Sequence, residues 1–421
     1  PPLISQFVKI LILTALYPPL GAGGHDNRCR QVVEALSQRG HKLQVLTSNY
    51  RLPPMGVLGE KGVYRQMQLH DAEDVEHAAD APFRGKYQHE LSQARVLYQR
   101  IDRFEPDVVY VWNMSGVSKS LLFTLQKQGT PLVYDLHNDW GNPDAFDRDP
   151  WFQWWQRSRV LRTKCYQFYL KLIGATRRHL RDFPVGQVND LDLSNGYVAS
   201  ESLRADLKAA GLEQVASLPL LYPALNTMHL IFKFRYEPAR KFVWAGRFNA
   251  GKAPSVALQA VGVLKARGIN ISLDFYGMGE PSDRKAMRDL INTSGLSGSV
   301  RMHGIRPGEL IAKYAHYDAL LFTSDCNDPF PITPLEAMMS GLPTILSCDG
   351  GIQEIAEDGE TALLYAAGDA EALADAMVRM MALQDGGAVM AKKCMERLQA
   401  QHSLCTVVIR IEALLSASVK S

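Results

Sequence analysis

The stretch "ALLFTSDCNDPFPITPLEAMMSGLPTILS", residues 319–347, carries a whole structural unit in one reading. An apolar run from Ala319 to Phe322 breaks off at polar residues, as a buried strand does. A proline-interrupted loop follows, then a helical run through Glu336, Ala337, Met338 and Met339 that stops at Gly341 and Pro343. "PTILS" is a second short β-rich run. Strand, loop, helix and strand in this order make the repeating unit of a parallel sheet, whose ligands bind in loops at the carboxyl ends of the strands. Two carboxylates, Asp328 and Glu336, lie on and just after that loop. As residues alone they fit a catalytic pair, a metal site, a ligand clamp or a pair of helix caps.

The same alternation extends in both directions. Upstream, "KFVWAGRFN" is a strand and loop, "APSVALQAVGVLKARG" a helix ended by Gly268, "ISLDFYGMGE" a strand running into glycines, "SVRMHGI" a short strand and "GELIAKYAHYD" a helix. An earlier and separate series opens the chain with "VKILILTAL", "GAGGHDN" and the helix "RCRQVVEALSQRG". It continues through the strands "HKLQVLTS", "PDVVYVWN" and "PLVYDLHN". At 421 residues the chain exceeds one ordinary core. The expected fold is therefore α/β, with two Rossmann-like domains whose parallel sheets face each other across a cleft. The first spans 1–224 and the second 225–402, with a terminal helix at 403–421 packing back on the first.

Composition narrows the function. Apolar residues make up 46% and charged residues 21%, and the net charge is +2, which excludes disorder, a membrane-embedded chain and a chain-wide polyelectrolyte. The six cysteines have no metal-ligand spacing and read as reduced thiols. The first apolar run is shorter than the roughly 20 residues a membrane span needs. These features place the chain in the cytoplasm, with a peripheral position at the inner face of the membrane as an extension.

Several loops carry candidate chemistry. Gly21 to Gly24 follow a strand and precede a helix, where backbone N–H groups cradle a phosphate or a sugar hydroxyl, or where glycines simply make a turn. Arg247 and Lys252 flank "GRFNAGK"; they are two solvated cations or a diphosphate clamp, a guanidinium fork beside a point charge. Gly277 and Gly279 allow close backbone approach or a plain turn. His137 sits at a strand end beside Asp135 and Asp139. The D-x-D runs at Asp147 and Asp190 sit in no convincing strand-end site, so no metal is assigned. Residues 151–181 hold "WFQWW" and then eight cations with interleaved aromatics and no acid. That pattern suits an anionic membrane surface or a phosphate-bearing acceptor, or else a helix with a solvated basic face and an aromatic core face. No nucleic-acid-binding fold accompanies it.

Together these motifs resemble the retaining GT-B glycosyltransferases of family 4. The matching residues are Gly246-Arg247 with Lys252, "FYGMGE", "VRMHG" ending near His303, and above all Asp328 with "PLEAMMSGLPTIL", continued by "DGGIQEIAEDGETALLY". The resemblance implies transfer of a sugar from a UDP- or GDP-sugar to a glycan or lipid-linked acceptor, with retention, without a metal or other cofactor, in surface polysaccharide or glycoconjugate assembly. It implies that Arg247 and Lys252 neutralise the diphosphate and that Glu336 binds the ribose. Asp328 faces the donor sugar, and His137 with Gly23 and Gly24 lies toward sugar and acceptor. Donor contacts are further implied at Gly246, Gly277, Gly279, His303, Phe330, Pro331, Ile332, Thr333 and Leu335, and acceptor contacts at Trp140, Arg177 and Arg178. The chain departs from the family in having Asp rather than Glu at 328, Pro331 in place of a common glycine, and Ala362 at a frequent glycine position. These departures bear on donor-sugar identity. A sugar-nucleotide epimerase or hydrolase, or a non-catalytic binding protein, is the alternative.

Overall fold

Strand β1, Lys9–Thr14, is apolar from Ile10 to Leu13 and buried at every position after its lysine. Such a strand needs cover on both faces, which a parallel sheet with crossover helices supplies. The computed structural model describes residues 7–20, 24–70, 78–79, 82–158, 160–178, 183, 187–304, 309–326 and 328–420. Strands β2 (Lys42–Ser48), β3 (Val63–Met67), β4 (Val108–Asn113), β5 (Leu132–Leu136) and β6 (Gly196–Val198) complete one sheet in the order β3-β2-β1-β4-β5-β6. Every pairing in it is parallel.

The second sheet repeats the design. It comprises β7 (Lys241–Ala245), β8 (Ser272–Tyr276), β9 (Val300–His303), β10 (Ala319–Phe322), β11 (Thr344–Ser347) and β12 (Leu363–Tyr365), ordered β12-β11-β10-β7-β8-β9. Its pairings are likewise all parallel. In each sheet the winding reverses beside the first strand, between β1 and β4 and between β7 and β10. Such a reversal opens a crevice at the strands' carboxyl ends, the usual ligand position in doubly wound sheets.

The chain divides into two compact units, 1–199 with 203–221 and 408–421, and 200–202 with 222–407. Each has its own apolar core. The final helix, Leu404–Lys420, contributes Glu412 to the first unit, where its carboxylate accepts from Arg39 at 2.6 Å and pairs with His41 at 2.8 Å. Helix Phe83–Phe104 buries the face carrying Ala94 and Leu97 under β1 to β3 and ends at Glu105, whose φ of 49° closes it. The segment "GELIAKYAHYD", expected as a helix, is a 3₁₀ turn over Ile311–His316. Asp318 arrests it, because its carboxylate takes the N–H groups of Arg240 and Lys241 at 2.8 and 2.7 Å and so fixes the start of β10.

Candidate functional site

In the second unit the loops after β7 and β10, the two strands flanking the winding reversal, are stitched together. Thr323 donates its hydroxyl to the Lys252 carbonyl at 2.8 Å, and Ser324 donates to Gly251 at 3.0 Å. Trp244 in β7 donates its indole N–H to the Thr323 hydroxyl at 2.8 Å, so the core itself sets this register. Asn249 caps the turn Ala250–Lys252 by accepting from the Lys252 N–H at 3.1 Å. The result aims the Lys252 ammonium at Asp328, with which it forms an ion pair. Both side chains keep about a fifth of their surface open, 18% and 21%. Arg247, on the same loop as Lys252, is exposed.

The loop bearing Asp328 is held from the other side by glycine. Gly351 donates its N–H to the Asp328 carbonyl at 3.0 Å, and a Cβ at Gly350 or Gly351 would collide with the carbonyl oxygen of Asp328 or of Pro329. Gly350 also sits at φ 64°. Only glycine allows two backbones this close. Neither residue stands out from sequence, although "DGGIQE" contains them; the available signal is an adjacent glycine pair after a strand. Gly277 has the same role beside β7, because a Cβ there would strike the Gly246 carbonyl. Its neighbour Gly279 packs against Phe248.

Helix Ile332–Met339 follows directly, with Pro331 at its N-cap. Sequence reading puts Glu336 at the start of this helix; the structure puts it a full turn further in. The reason is Pro334, which a first turn accepts because the N–H it lacks would have no intrahelical partner there. Glu336 is largely buried, and burial pushes its carboxyl from the ordinary 4.5 up to about 7. Phe330 and Leu335 are core residues, Phe330 packing on Tyr222 and His402 at 5.4 Å from each ring. What these two offer a ligand is backbone, not side chain. His303 ends β9, stacked 4.6 Å from Tyr276 and 3.2 Å from the Asp274 carboxylate.

His137 belongs to the first unit and follows β5. Its Nδ1 pairs with Asp135 at 2.8 Å, and its Nε2 contacts Arg28. Arg28 also donates to Asp135 at 2.7 Å and lies 4.5 Å over the Trp112 ring. Burial pushes the Asp135 carboxyl up, but the neighbouring His137 and Arg28 charges outweigh it and hold the group well below the usual range. Tyr197 donates to the same carboxylate at 2.8 Å. Tilted beside His137, at 5.2 Å between rings, is His25, whose own pKa is driven far down by burial, Arg28 and His137. Sequence reading misses Arg28 and His25 because they sit on helix Gly24–Gln38, far along the chain from His137.

On the acceptor side one expectation changes, and others fall outside the described residues. Trp140 is 1% exposed and donates its indole N–H to the Asp135 carbonyl at 2.9 Å, so it buttresses the His137 loop and presents no face to an acceptor. The side chains of Arg177 and Arg178 lie outside the described residues, as does Gly23, while Gly24 opens the first helix. The tryptophans of "WFQWW" are buried, because helix Pro150–Gln156 packs them into the first core around Phe83.

Two family models account for most of the chain: "Glycosyltransferase Family 4" over residues 22–183 and "Glycosyl transferases group 1" over 231–397. The chain belongs to the family 4, group 1 glycosyltransferases. The D-inositol 3-phosphate glycosyltransferase of Corynebacterium urealyticum is 30% identical over 37% of this chain and 38% of its own length. The amylovoran biosynthesis glycosyltransferase AmsK of Erwinia amylovora is 28% identical over 34% and 36%. The chain thus matches little more than a third of either curated relative. Across 97% of this chain and all of the other, Anabaena HepE in complex with UDP-glucose shares the fold, with a TM-score of 0.67 at 16% identity. This family member therefore has the GT-B architecture.

Proposed function

We propose that this chain transfers a sugar from a nucleotide-diphosphate donor to a glycan or lipid-linked acceptor, with retention of configuration and without a metal. The observation that carries the reading is the pairing of Lys252 with Asp328, on the loop that also bears Arg247, where the second sheet reverses its winding. Departure of a nucleoside diphosphate concentrates negative charge on its phosphates. Lys252, Arg247 and the N–H groups opening helix Ile332–Met339 answer that charge with groups already in place. The arriving diphosphate displaces Asp328 as the partner of Lys252, which turns the Asp328 carboxylate toward sugar hydroxyls. Retention assigns attack to the face the diphosphate leaves, with a phosphate oxygen taking the acceptor proton. A neighbour of the same fold that holds UDP-glucose supports a nucleotide-sugar donor. In the first unit, the fixed His137 remains the candidate for sugar or acceptor contact. A thermal-shift screen of UDP- and GDP-sugars tests the donor assignment, because ligand binding to the folded state raises its Tm. One nucleotide series should stabilise the chain with a chelator present; no shift from either series contradicts the reading.

Ribose binding by Glu336 carries a pH signature. Its folded-state pKa of about 7 lies above the ordinary 4.5, so the free chain is relatively more stable at low pH and loses that contribution as pH rises through 7. Hydroxyls donating to the carboxylate favour its charged form. Nucleotide uptake therefore releases a proton, and UDP or GDP affinity falls by up to about tenfold per unit below pH 7. Calorimetric affinity that is flat between about pH 5.5 and 8, the range spanning this titration, contradicts the assignment.

We assign the acceptor's setting to an anionic membrane face. Among the described residues no helix is long and apolar enough to cross a membrane. Helix Leu161–Leu172 nonetheless exposes Leu161, Phe168, Tyr169 and Leu172, with Arg162, Lys164 and Lys171 exposed among them. Mixed apolar and basic exposure fits a surface-lying helix on anionic lipid. The chain should co-sediment with phosphatidylglycerol vesicles and not with phosphatidylcholine vesicles. Substituting Phe168 and Leu172 by serine should abolish that binding; vesicle binding unchanged in that variant contradicts the surface.

A further inference from the structure

The first unit gathers two imidazoles and a buried carboxyl that no step above uses. His70 follows β3, and His89 and Glu90 are consecutive on helix Phe83–Phe104. One ligand atom from each lies within 4.8 Å of the other two. The two rings stand 4.8 Å apart and tilted by 36°, so neither blocks the space between them by stacking flat. Three separate segments hold this arrangement. The His70 N–H donates to the Gly116 carbonyl at 2.8 Å, which ties it to the loop after β4. Just before it, Gln68 donates its N–H to the Gln93 side chain at 3.0 Å, which ties the same segment to the helix. From the loop after β4, Ser118 donates to Glu90 Oε2 at 2.6 Å, and Ser120 donates to that same oxygen.

Glu90 is 1% exposed, and a second buried acid, Asp149, adds to the negative potential around it. Lys86, on the same helix, is a positive neighbour of this carboxyl, and a cation held between Glu90 and the two imidazoles would add to it. With Oε2 fixed by two serines, the other oxygen is the one left to offer. We propose that His70, His89 and Glu90 form a binding site for a divalent first-row cation of the Zn²⁺ class. Imidazole nitrogen suits zinc, and two imidazoles with one carboxylate leave a fourth, tetrahedral position for water. Ligands about 2.0–2.1 Å from zinc stand roughly 3.4 Å from one another, so side-chain rotations of about 1 Å close the site. The serines hold the ligating carboxylate in orientation, as hydrogen-bond partners behind a metal ligand do. A cation here joins the segment after β3 to the helix, with the serines after β4 bracing the carboxylate, all in the first unit. The charges on a donor diphosphate remain the business of Lys252 and Arg247 in the second.

The test uses the full chain, stripped with a chelator and titrated with zinc chloride by calorimetry and thermal shift. One equivalent should bind and raise Tm by about 5 °C at a hundredfold excess over Kd. His70→Ala and His89→Ala should each weaken binding by at least about tenfold, and Ser118→Ala by about tenfold. His316→Ala, a histidine of the second unit, should leave binding unchanged. X-ray absorption of the zinc-loaded wild-type chain covers the case in which a histidine variant fails to fold. Two imidazole nitrogens with oxygen support the site, whereas sulfur ligands, from any of the free cysteines, overturn it. Absence of saturable binding, or equal affinity in a folded His89→Ala chain, also overturns it.

Discussion

Replacing Lys252 with alanine is expected to lower kcat/KM for sugar transfer by roughly 10²- to 10³-fold, the range seen when one preorganised stabilising group is removed. Two causes combine in that effect. The variant loses a cation placed where diphosphate charge develops, and it leaves Asp328 facing that diphosphate with its own charge unanswered. Arg247→Ala should cost less, because that side chain is exposed and water screens it. Asp328→Asn separates the two causes. It frees Lys252 from its ion pair, so UDP or GDP affinity should hold or rise while transfer falls. Transfer by Lys252→Ala within about threefold of the wild type would remove this lysine from the mechanism.

Asp135→Ala is expected to be the most destabilising single change in the first unit, by about 3–5 kcal/mol, as for other buried ion pairs stripped of one partner. Asp135 is fully buried and accepts from Arg28, His137 and Tyr197 at once. Without it the Arg28 guanidinium, 5% exposed, keeps its charge buried against His137 and the Trp112 ring with no carboxylate to answer it. The melting temperature should drop by about 10 °C or more. Asp135→Asn should fall between, since it keeps the shape but loses the charge and one acceptor site. A melting curve for the alanine variant within about 2 °C of the wild type contradicts the account of this cluster.

The strands are legible in the sequence because parallel strands buried on both faces are continuous apolar runs, as "VVYVWN" and "LVYDL" are. The pairs Arg247 with Lys252 and Asp328 with Glu336 are legible because each is local in sequence and follows a strand end, whereas the ion pair between Lys252 and Asp328 joins two loops 76 residues apart. Helix Phe83–Phe104 and strand β3 escape such a reading. Their buried faces carry Glu90, Gln93, Arg100 and Arg65, polar residues that blur a hydrophobic period. The start of helix Ile332–Met339 is misplaced from sequence since two prolines look like a loop until one sits at its N-cap and the other in its first turn. The aromatics of 151–155 leave a surface and a core face both open in the sequence, because a tryptophan's place depends on what the rest of the chain brings to it; the structure buries them. Arg28 beside His137, and Gly351 against Asp328, are long-range contacts of the kind spacing alone does not encode.

The central claim is best tested by following a donor and acceptor pair by NMR in a chelating buffer. Acceptor-dependent release of UDP or GDP, with a product anomeric configuration equal to the donor's and loss of both signals in Lys252→Ala, is the predicted result. An inverted product, a strict requirement for added metal, or no acceptor-dependent release from any UDP- or GDP-sugar would contradict it.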